Sequence, residues 1–140
     1  MSGKRIKQIL AVTLASVSLL CSCADTTPVS SEESGIFVDG YEQISQIKAK
    51  ELIDTKDNYI ILDVRTKEEF NDKHIENAIL IPYDEIEDRT DELPDKNQLI
   101  LVYCRSGNRS KTAAKTLAEL GYTNVKEFGG INNWAYGTVR

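Results

Sequence analysis

Histidine and cysteine are scarce in this chain, which has one histidine and three cysteines among its 140 residues. A structural zinc site needs four ligands in a tetrahedron, most often supplied by these two residue types. Cys21 and Cys23 lie close together near the amino terminus, so the rest of the chain offers only His74 and Cys104. These are too few for a tetrahedral site, and the sequence therefore argues against a bound metal.

Residues 1–23 also lack an apolar run that is long enough to cross a bilayer. The run at residues 9–20 holds twelve largely apolar residues, whereas a spanning helix needs about 20. Lys4, Arg5 and Lys7 precede this run, and Leu20-Cys21-Ser22-Cys23 follows it. A basic start, a short apolar stretch and small residues at its end are the layout of an export signal that is removed.

The end of this segment resembles the lipobox of bacterial lipoproteins, in which a leucine lies three residues before the lipidated cysteine and a small residue lies directly before it. Leu20 and Ser22 match these positions if Cys23 is lipidated, whereas Cys21 has a less suitable context. The resemblance implies a lipoprotein signal peptide at residues 1–22, lipidation of Cys23, and an exported, membrane-anchored protein in the periplasm or at the cell surface. An ordinary secretory signal with incidental cysteines is the alternative.

Basic residues are fewer than acidic ones, 17 against 22, and the formal net charge is −5. Loss of residues 1–22 would leave 14 basic and 22 acidic residues, a charge of −8. Such an acidic balance argues against a nucleic acid partner.

The 118 residues after a cut before Cys23 are enough for one domain and too few for two. Residues 24–34, ADTTPVSSEES, contain no cluster of large apolar side chains and predict a solvated tether. We therefore expect a flexible tether at residues 23–35 and a single domain at residues 36–140, which acts as a monomer.

Short apolar runs alternate with helical patterns along this domain. Strands are predicted at residues 59–64, 78–81, 99–103 and 124–128. Helices are predicted at residues 45–55, from the capping box Thr66-Lys67-Glu68-Glu69, and at residues 110–120. The alternation predicts a three-layer α/β domain, in which a mostly parallel sheet of about five strands has helices on both faces.

The polar loop 104-CRSGNRS-110 lies between an apolar run and an alanine-rich helical pattern. A short loop that joins a strand to a helix directs backbone N–H groups, and the positive end of the helix dipole, at one point. Gly107 allows a tight turn, and Arg105 and Arg109 add positive charge. Because a thiol in such surroundings ionises readily, we predict that Cys104 is a nucleophilic thiolate in an anion cradle.

Cys104 has no intramolecular disulfide partner if Cys21 is removed and Cys23 is lipidated. A reactive thiol, an intermolecular link and an inert packing role are then open to it, and the electropositive loop favours the reactive thiol. Asp63 and Arg65 lie at the end of another predicted strand, so the sheet should bring them to the same edge as Cys104.

Three ordered motifs resemble those of a known family: 62-LDVRTKEEFNDKHIENAILIP-82, 99-LILVYCRSGNRSKTAAKTLAELGY-122 and 125-VKEFGGINNW-134. Through them, nearly all of residues 36–139 resembles the rhodanese-like domain family of sulfurtransferases. Lys73 replaces the family's usual glycine before the His-Ile pair, and Glu76-Asn77 replaces the usual Pro-Gly after it. Both departures lie in a turn.

The resemblance implies a rhodanese-like fold and a sulfurtransferase activity. Cys104 would take the outer sulfur of a small anionic donor such as thiosulfate and hold it as a persulfide. It would then pass the sulfur to a thiophilic acceptor, which is cyanide in vitro and a thiol in the cell. No metal or organic cofactor is required.

The resemblance also implies roles for individual residues. The main-chain amides of the loop would form the cradle, Arg105 and Arg109 would attract the anion, and Ser110 would open the next helix. Asp63 and Arg65 would brace the rim, and His74 would pack or hydrogen-bond rather than act as a base. The donor-binding residues are Arg105, Ser106, Gly107, Asn108, Arg109 and Ser110.

Other functions stay open at this point. In dual-specificity phosphatases, which are relatives of this fold, five residues separate the cysteine from the arginine, whereas four separate Cys104 from Arg109. A phosphatase or arsenate reductase is thus the enzymatic alternative. A membrane-tethered binding module and a persulfide or redox relay are the others, and retention of Cys104 favours an enzyme over a binding module.

Overall fold

The structure is a computed structural model, and it describes residues 35–140. The predicted signal peptide at residues 1–22, the lipidation site Cys23 and all of the predicted tether except Gly35 lie outside the described residues. Within residues 35–140, no helix is both long and apolar enough to cross a membrane.

A six-stranded sheet forms the centre of the domain. In chain order its strands are β1 (Ile36–Val38), β2 (Tyr41–Gln43), β3 (Tyr59–Asp63), β4 (Ala78–Leu80), β5 (Leu99–Cys104) and β6 (Val125–Gly130). Their order across the sheet is β1-β2-β6-β5-β3-β4, and every neighbouring pair is parallel except β1 with β2. The mostly parallel α/β sheet that the sequence predicted is therefore confirmed.

Three α-helices connect these strands: α1 (Gln46–Thr55), α2 (Lys67–Asp72) and α3 (Asn108–Glu119). Two short 3-10 helices, Glu87–Glu92 and Ile131–Asn133, complete the described elements. The predicted capping box is present, because Thr66 Oγ1 accepts from the Glu69 N–H and the Glu69 carboxylate accepts from the Thr66 N–H.

Alternate residues of the central strands face two separate apolar clusters. Leu62 and Val102 pack with α3 in one cluster, whereas Ile61 and Leu101 pack with α1 in the other. Because side chains alternate along a strand, the two clusters lie on opposite faces of the sheet. Helices thus cover both faces, as predicted.

The prediction of about five strands was one too few. The pattern of apolar runs located four of the six strands and missed β1 and β2, which have three residues each. Ile36 and Phe37 of β1 are 69% and 77% exposed. β1 is a run of only three apolar residues, shorter than the runs of four or more from which strands were predicted, and β2 has one apolar residue, Tyr41, beside two polar ones.

Helix α3 begins at Asn108, two residues before the predicted start at Ser110. Gly107 precedes it with a φ of 106°, in the left-handed region that glycine adopts without strain. The earlier start was not predicted because the first turn of α3 has no apolar residue that would mark it as helical, and its Asn108 is exposed. Asn108, Arg109 and Ser110 are therefore the first residues of the helix that follows the loop.

Candidate functional site

Cys104 is the last residue of β5, at the carboxyl edge of the sheet, where parallel α/β sheets bind ligands. Its side chain is buried, and its sulfur accepts a hydrogen bond from the backbone N–H of Gly107 at 3.0 Å. The three residues Arg105, Ser106 and Gly107 join it directly to α3. The loop thus curls back on the sulfur within one turn.

The pKa of the Cys104 thiol lies below its ordinary value. Burial alone raises this pKa, because a charged sulfur is poorly solvated in the interior. The Ser110 hydroxyl, when its hydrogen points at the sulfur, and the nearby backbone N–H groups of Ser110, Gly107 and Ser106 lower the pKa and outweigh burial. Of these groups, the Gly107 N–H donates directly to the sulfur. A thiolate held in this way is a nucleophile in a pocket that also stabilises other negative charge.

The double glycine at the end of β6 brings the loop close to the sheet. A register shift lets the span from Val102 to Cys104 pair with the longer span from Glu127 to Gly130. At Gly130 a Cβ atom would lie only 2.1 Å from the Arg105 carbonyl oxygen, so no larger residue fits without movement of the loop. Gly130 of the motif 125–134 is therefore needed for the loop to lie close to the sheet, a role that was not predicted from the sequence.

Arg109 was predicted to attract the donor anion, and the structure gives it a carboxylate partner. Its guanidinium donates two hydrogen bonds to Glu69 of α2, at 2.7 and 2.9 Å. This pairing, chiefly through the hydrogen bonds from Arg109, lowers the pKa of Glu69 to about 2. Glu69 was known from the sequence only as a capping residue, because a contact across 40 positions of the chain leaves no local pattern.

Arg105, the other predicted anion-attracting residue, is exposed, and it forms no ion pair among residues 35–140. It forms part of the wall of a cleft of about 410 Å³. The residues that line this cleft are Arg65, Glu68, Glu69, Asp72, Lys73, Arg105, Ile131 and Asn132. Arg109 is paired with Glu69, so Arg105 is the loop arginine whose positive charge remains exposed.

Asp63 and Arg65 form a buried ion pair at the end of β3, where Asp63 is paired in register with Tyr103 of β5. Arg65 Nη2 donates to Asp63 Oδ2 at 2.6 Å and to the Lys73 carbonyl oxygen at 2.7 Å. Tyr103 Oη donates to the same carboxylate at 2.6 Å, and burial raises the pKa of this phenol. This network ties β3, β5 and the segment after α2 together, which is the geometry of a structural brace.

His74 and Trp134 both lie in packing contacts. The His74 ring stacks on Phe70, with ring centroids 3.9 Å apart, and its Nδ1 lies 2.9 Å from the Phe70 carbonyl oxygen. Trp134 packs against Phe128 and Tyr136. These contacts fit the packing or hydrogen-bonding role that was expected for His74, and they give Trp134 a packing role as well.

Comparison with known proteins places this geometry in a family. The family model described as "Rhodanese-like domain" matches residues 45–136, about two thirds of the chain. The chain belongs to the rhodanese-like domain family. Its polar loop around Cys104 is therefore the loop of a rhodanese-like domain, and the departures at Lys73, Glu76 and Asn77 do not remove it from the family.

Two relatives of this rhodanese-like domain have names that state an activity. It is 39% identical over 80 residues to thiosulfate sulfurtransferase PspE of Escherichia coli (strain K12), which covers 56% of this chain and 77% of that protein. It is 35% identical over 95 residues to thiosulfate sulfurtransferase GlpE of Coxiella burnetii, with 67% and 87% covered. These relatives support sulfur transfer as the general activity.

A solved structure described as a rhodanese with anions from Escherichia coli is also similar. It matches with a TM-score of 0.56 and 37% sequence identity, over 59% of this chain and 98% of the other. The shared architecture agrees with the mixed α/β sheet described above.

The Glu69–Arg109 pair predicts a pH-dependent contribution to stability. Because the folded-state pKa of Glu69 is lowered to about 2, its carboxylate stabilises the folded domain fully above its unfolded value of about 4.3 and loses this effect as the pH falls toward 2. We expect Glu69→Gln to lower the free energy of unfolding at pH 7 and to have little effect near pH 2. Urea denaturation across this range measures the difference.

Asp72→Asn is the matched control, because Asp72 is an exposed acid of the same helix and has no arginine partner among residues 35–140. Its effect should stay small at every pH. A Glu69→Gln effect that does not change between pH 6 and pH 2 would contradict the assigned ion pair.

Proposed function

We propose that this protein is a thiosulfate sulfurtransferase that carries the transferred sulfur as a persulfide on Cys104. The observation that carries the proposal is the buried Cys104 sulfur with the Gly107 N–H directed at it at 3.0 Å. The lowered pKa of this thiol and the two relatives named thiosulfate sulfurtransferase support the same conclusion.

In the first half of the reaction, the Cys104 thiolate attacks the outer sulfur of thiosulfate. A new S–S bond forms between Cys104 and that sulfur, the S–S bond of the donor breaks, and sulfite leaves with the electron pair. The enzyme is left as an anionic persulfide. In the second half, a nucleophilic acceptor, cyanide or a thiolate, takes the terminal sulfur and releases the Cys104 thiolate. No separate oxidant or reductant is consumed.

The loop contributes to both halves of this reaction. The N–H groups of Ser106, Gly107 and Ser110 hold negative charge on the cysteine sulfur, and the positive end of α3 supports it. Arg105, which is exposed and directly follows Cys104 in the chain, attracts the anionic donor to the loop, and Arg109, held by Glu69, adds positive charge beside the thiolate. Asn108 begins the first turn of α3, which fixes the position of the cradle. Asp63 and Arg65 support the rim from below.

Replacement of Cys104 by serine tests the proposal directly. We expect wild-type protein to form thiocyanate from thiosulfate and cyanide, and Cys104→Ser to form none, because the hydroxyl does not form a persulfide. Mass spectrometry after incubation with thiosulfate alone should show one added sulfur on the peptide that contains Cys104. A phosphate-ester assay run beside it tests the phosphatase alternative. Thiocyanate formation that survives Cys104→Ser would remove the mechanism.

Arg105 is expected to act on donor binding. Arg105→Ala should raise the KM for thiosulfate about two- to tenfold with a smaller change in kcat, because an exposed charge contributes modestly to binding an anion. Lys115→Ala is the matched control, since it removes an exposed positive charge from α3 away from the loop. If both variants raise KM equally, net charge rather than a specific contact is responsible.

We also propose that the domain is anchored outside the cytoplasm as a monomeric lipoprotein with Cys23 as its acylated residue. The support is the sequence around Leu20, Ser22 and Cys23. Several acyl chains together would hold the protein firmly at a membrane. Its donor would be a small sulfur anion and its acceptor a thiol.

Replacement of Cys23 tests the anchor separately from the chemistry. We expect Cys23→Ala to prevent incorporation of radiolabelled palmitate and to shift the protein out of the membrane fraction. Cys21→Ala, the matched control, should leave both unchanged. Labelling that is lost only in Cys21→Ala would reassign the acylated residue, and labelling in neither wild type nor variant would leave an ordinary secretory signal.

A further inference from the structure

A buried carboxylate lies beside the cradle and has no role in the mechanism described above. Glu127 belongs to β6 and is only 3% exposed. Its Oε1 atom accepts a hydrogen bond from the Ser110 hydroxyl at 2.6 Å and another from the Gly129 N–H at 2.7 Å. Glu127 therefore connects the first turn of α3 to the glycine pair that supports the loop.

The Ser110 hydroxyl has one hydrogen and more than one acceptor within reach. Besides the Glu127 carboxylate, the Gly107 carbonyl oxygen lies 3.0 Å from Ser110 Oγ. The same hydroxyl lowers the pKa of the Cys104 thiol when its hydrogen is directed at the sulfur instead. Because one hydrogen serves one strong acceptor at a time, Glu127 and Cys104 compete for it. The short contact to a carboxylate gives Glu127 the advantage.

We propose that Glu127 is a positioning residue that holds the Ser110 hydroxyl hydrogen away from the Cys104 sulfur and so limits how strongly the cradle stabilises the thiolate. The backbone N–H groups remain directed at the sulfur in either case. The inference rests on the proposed function only in that Cys104 is the reacting group. Its test is a titration of that thiol, which does not depend on sulfur transfer.

Other charged groups also face this part of the site. Lys111 of α3 lines the same hollow as Glu127, Ser106 and Gly107, a space of about 520 Å³. Arg109 acts electrostatically on the sulfur, and its own charge is felt by its partner Glu69 and by Asp63. None of these groups contacts the Ser110 hydroxyl, so the test below changes Ser110 and Glu127 alone.

The measurement is the pH dependence of Cys104 alkylation by iodoacetamide, in purified protein with both other cysteines replaced by alanine. Glu127→Gln keeps the shape of the side chain and can still accept from the Gly129 N–H, but it is a weaker acceptor for the hydroxyl. We expect the alkylation midpoint to fall by about one pH unit, the size of one added hydrogen bond to a charged group. Glu119→Gln, an exposed acid at the end of α3, is the matched control and should not move it.

A double-mutant cycle with Ser110→Ala separates the hydroxyl from simple loss of charge. If Glu127 acts through the hydroxyl, Glu127→Gln has little effect in the Ser110→Ala background. A fall of equal size in both backgrounds would show that the carboxylate acts through space, and no fall in either would show that it does not act on the thiol. Either result overturns the proposal.

Ser110→Ala alone provides a second test, which stands if Glu127→Gln fails to fold. With Glu127 holding the hydrogen, removal of the hydroxyl should raise the midpoint by only about 0.3 pH unit or less, a fraction of one hydrogen bond to a charged group. A rise near one pH unit would mean that the hydroxyl already serves the sulfur, and the proposal would be wrong.

Discussion

The hydrogen bond from the Gly107 N–H to the Cys104 sulfur is the contact on which the rest of the site depends. A sulfur buried at the end of a core strand is a poor place for a negative charge unless nearby donors replace the lost water. The neighbouring N–H groups of Ser106 and Ser110 complete this replacement. They converge because Gly107 takes a left-handed conformation and Gly130 leaves room for the Arg105 carbonyl.

Charged side chains near the cysteine are mostly committed to partners, and this leaves the backbone as the main support of negative charge. Arg65 is held by Asp63 and Arg109 by Glu69, each through two or more hydrogen bonds. The Glu69–Arg109 pair ties α2 to the first turn of α3, and Asp63 also accepts from Tyr103 of β5, next to Cys104. Arg105, by contrast, is exposed. In the proposed reaction Arg105 attracts the incoming anion, whereas Arg65 and Arg109 support the surrounding structure.

The sequence predicted the parts of this domain that have a local signal. Continuous apolar runs located the four strands β3 to β6, and the Thr66 capping box located α2. The polar loop between a strand and a helix singled out Cys104. What the sequence did not predict depends on contacts between distant segments. Glu69 and Glu127 each meet their partners across the fold, and the apolar runs at β1 and β2 are too short to leave a pattern.

The two-step sulfur transfer that we propose makes opposing demands on the Cys104 sulfur, and the hydrogen-bond donors around it can be understood in these terms. In the first half Cys104 is a nucleophile, and the nucleophilicity of a thiolate falls as its pKa falls. In the second half it is a leaving group, and a lower pKa makes it leave faster. Backbone N–H groups do not titrate, so they supply a constant part of the stabilisation. The Ser110 hydroxyl, by contrast, can change partners. When the Glu127 carboxylate holds its hydrogen, the Cys104 thiolate is stabilised less and stays more nucleophilic, which favours the first half of the reaction.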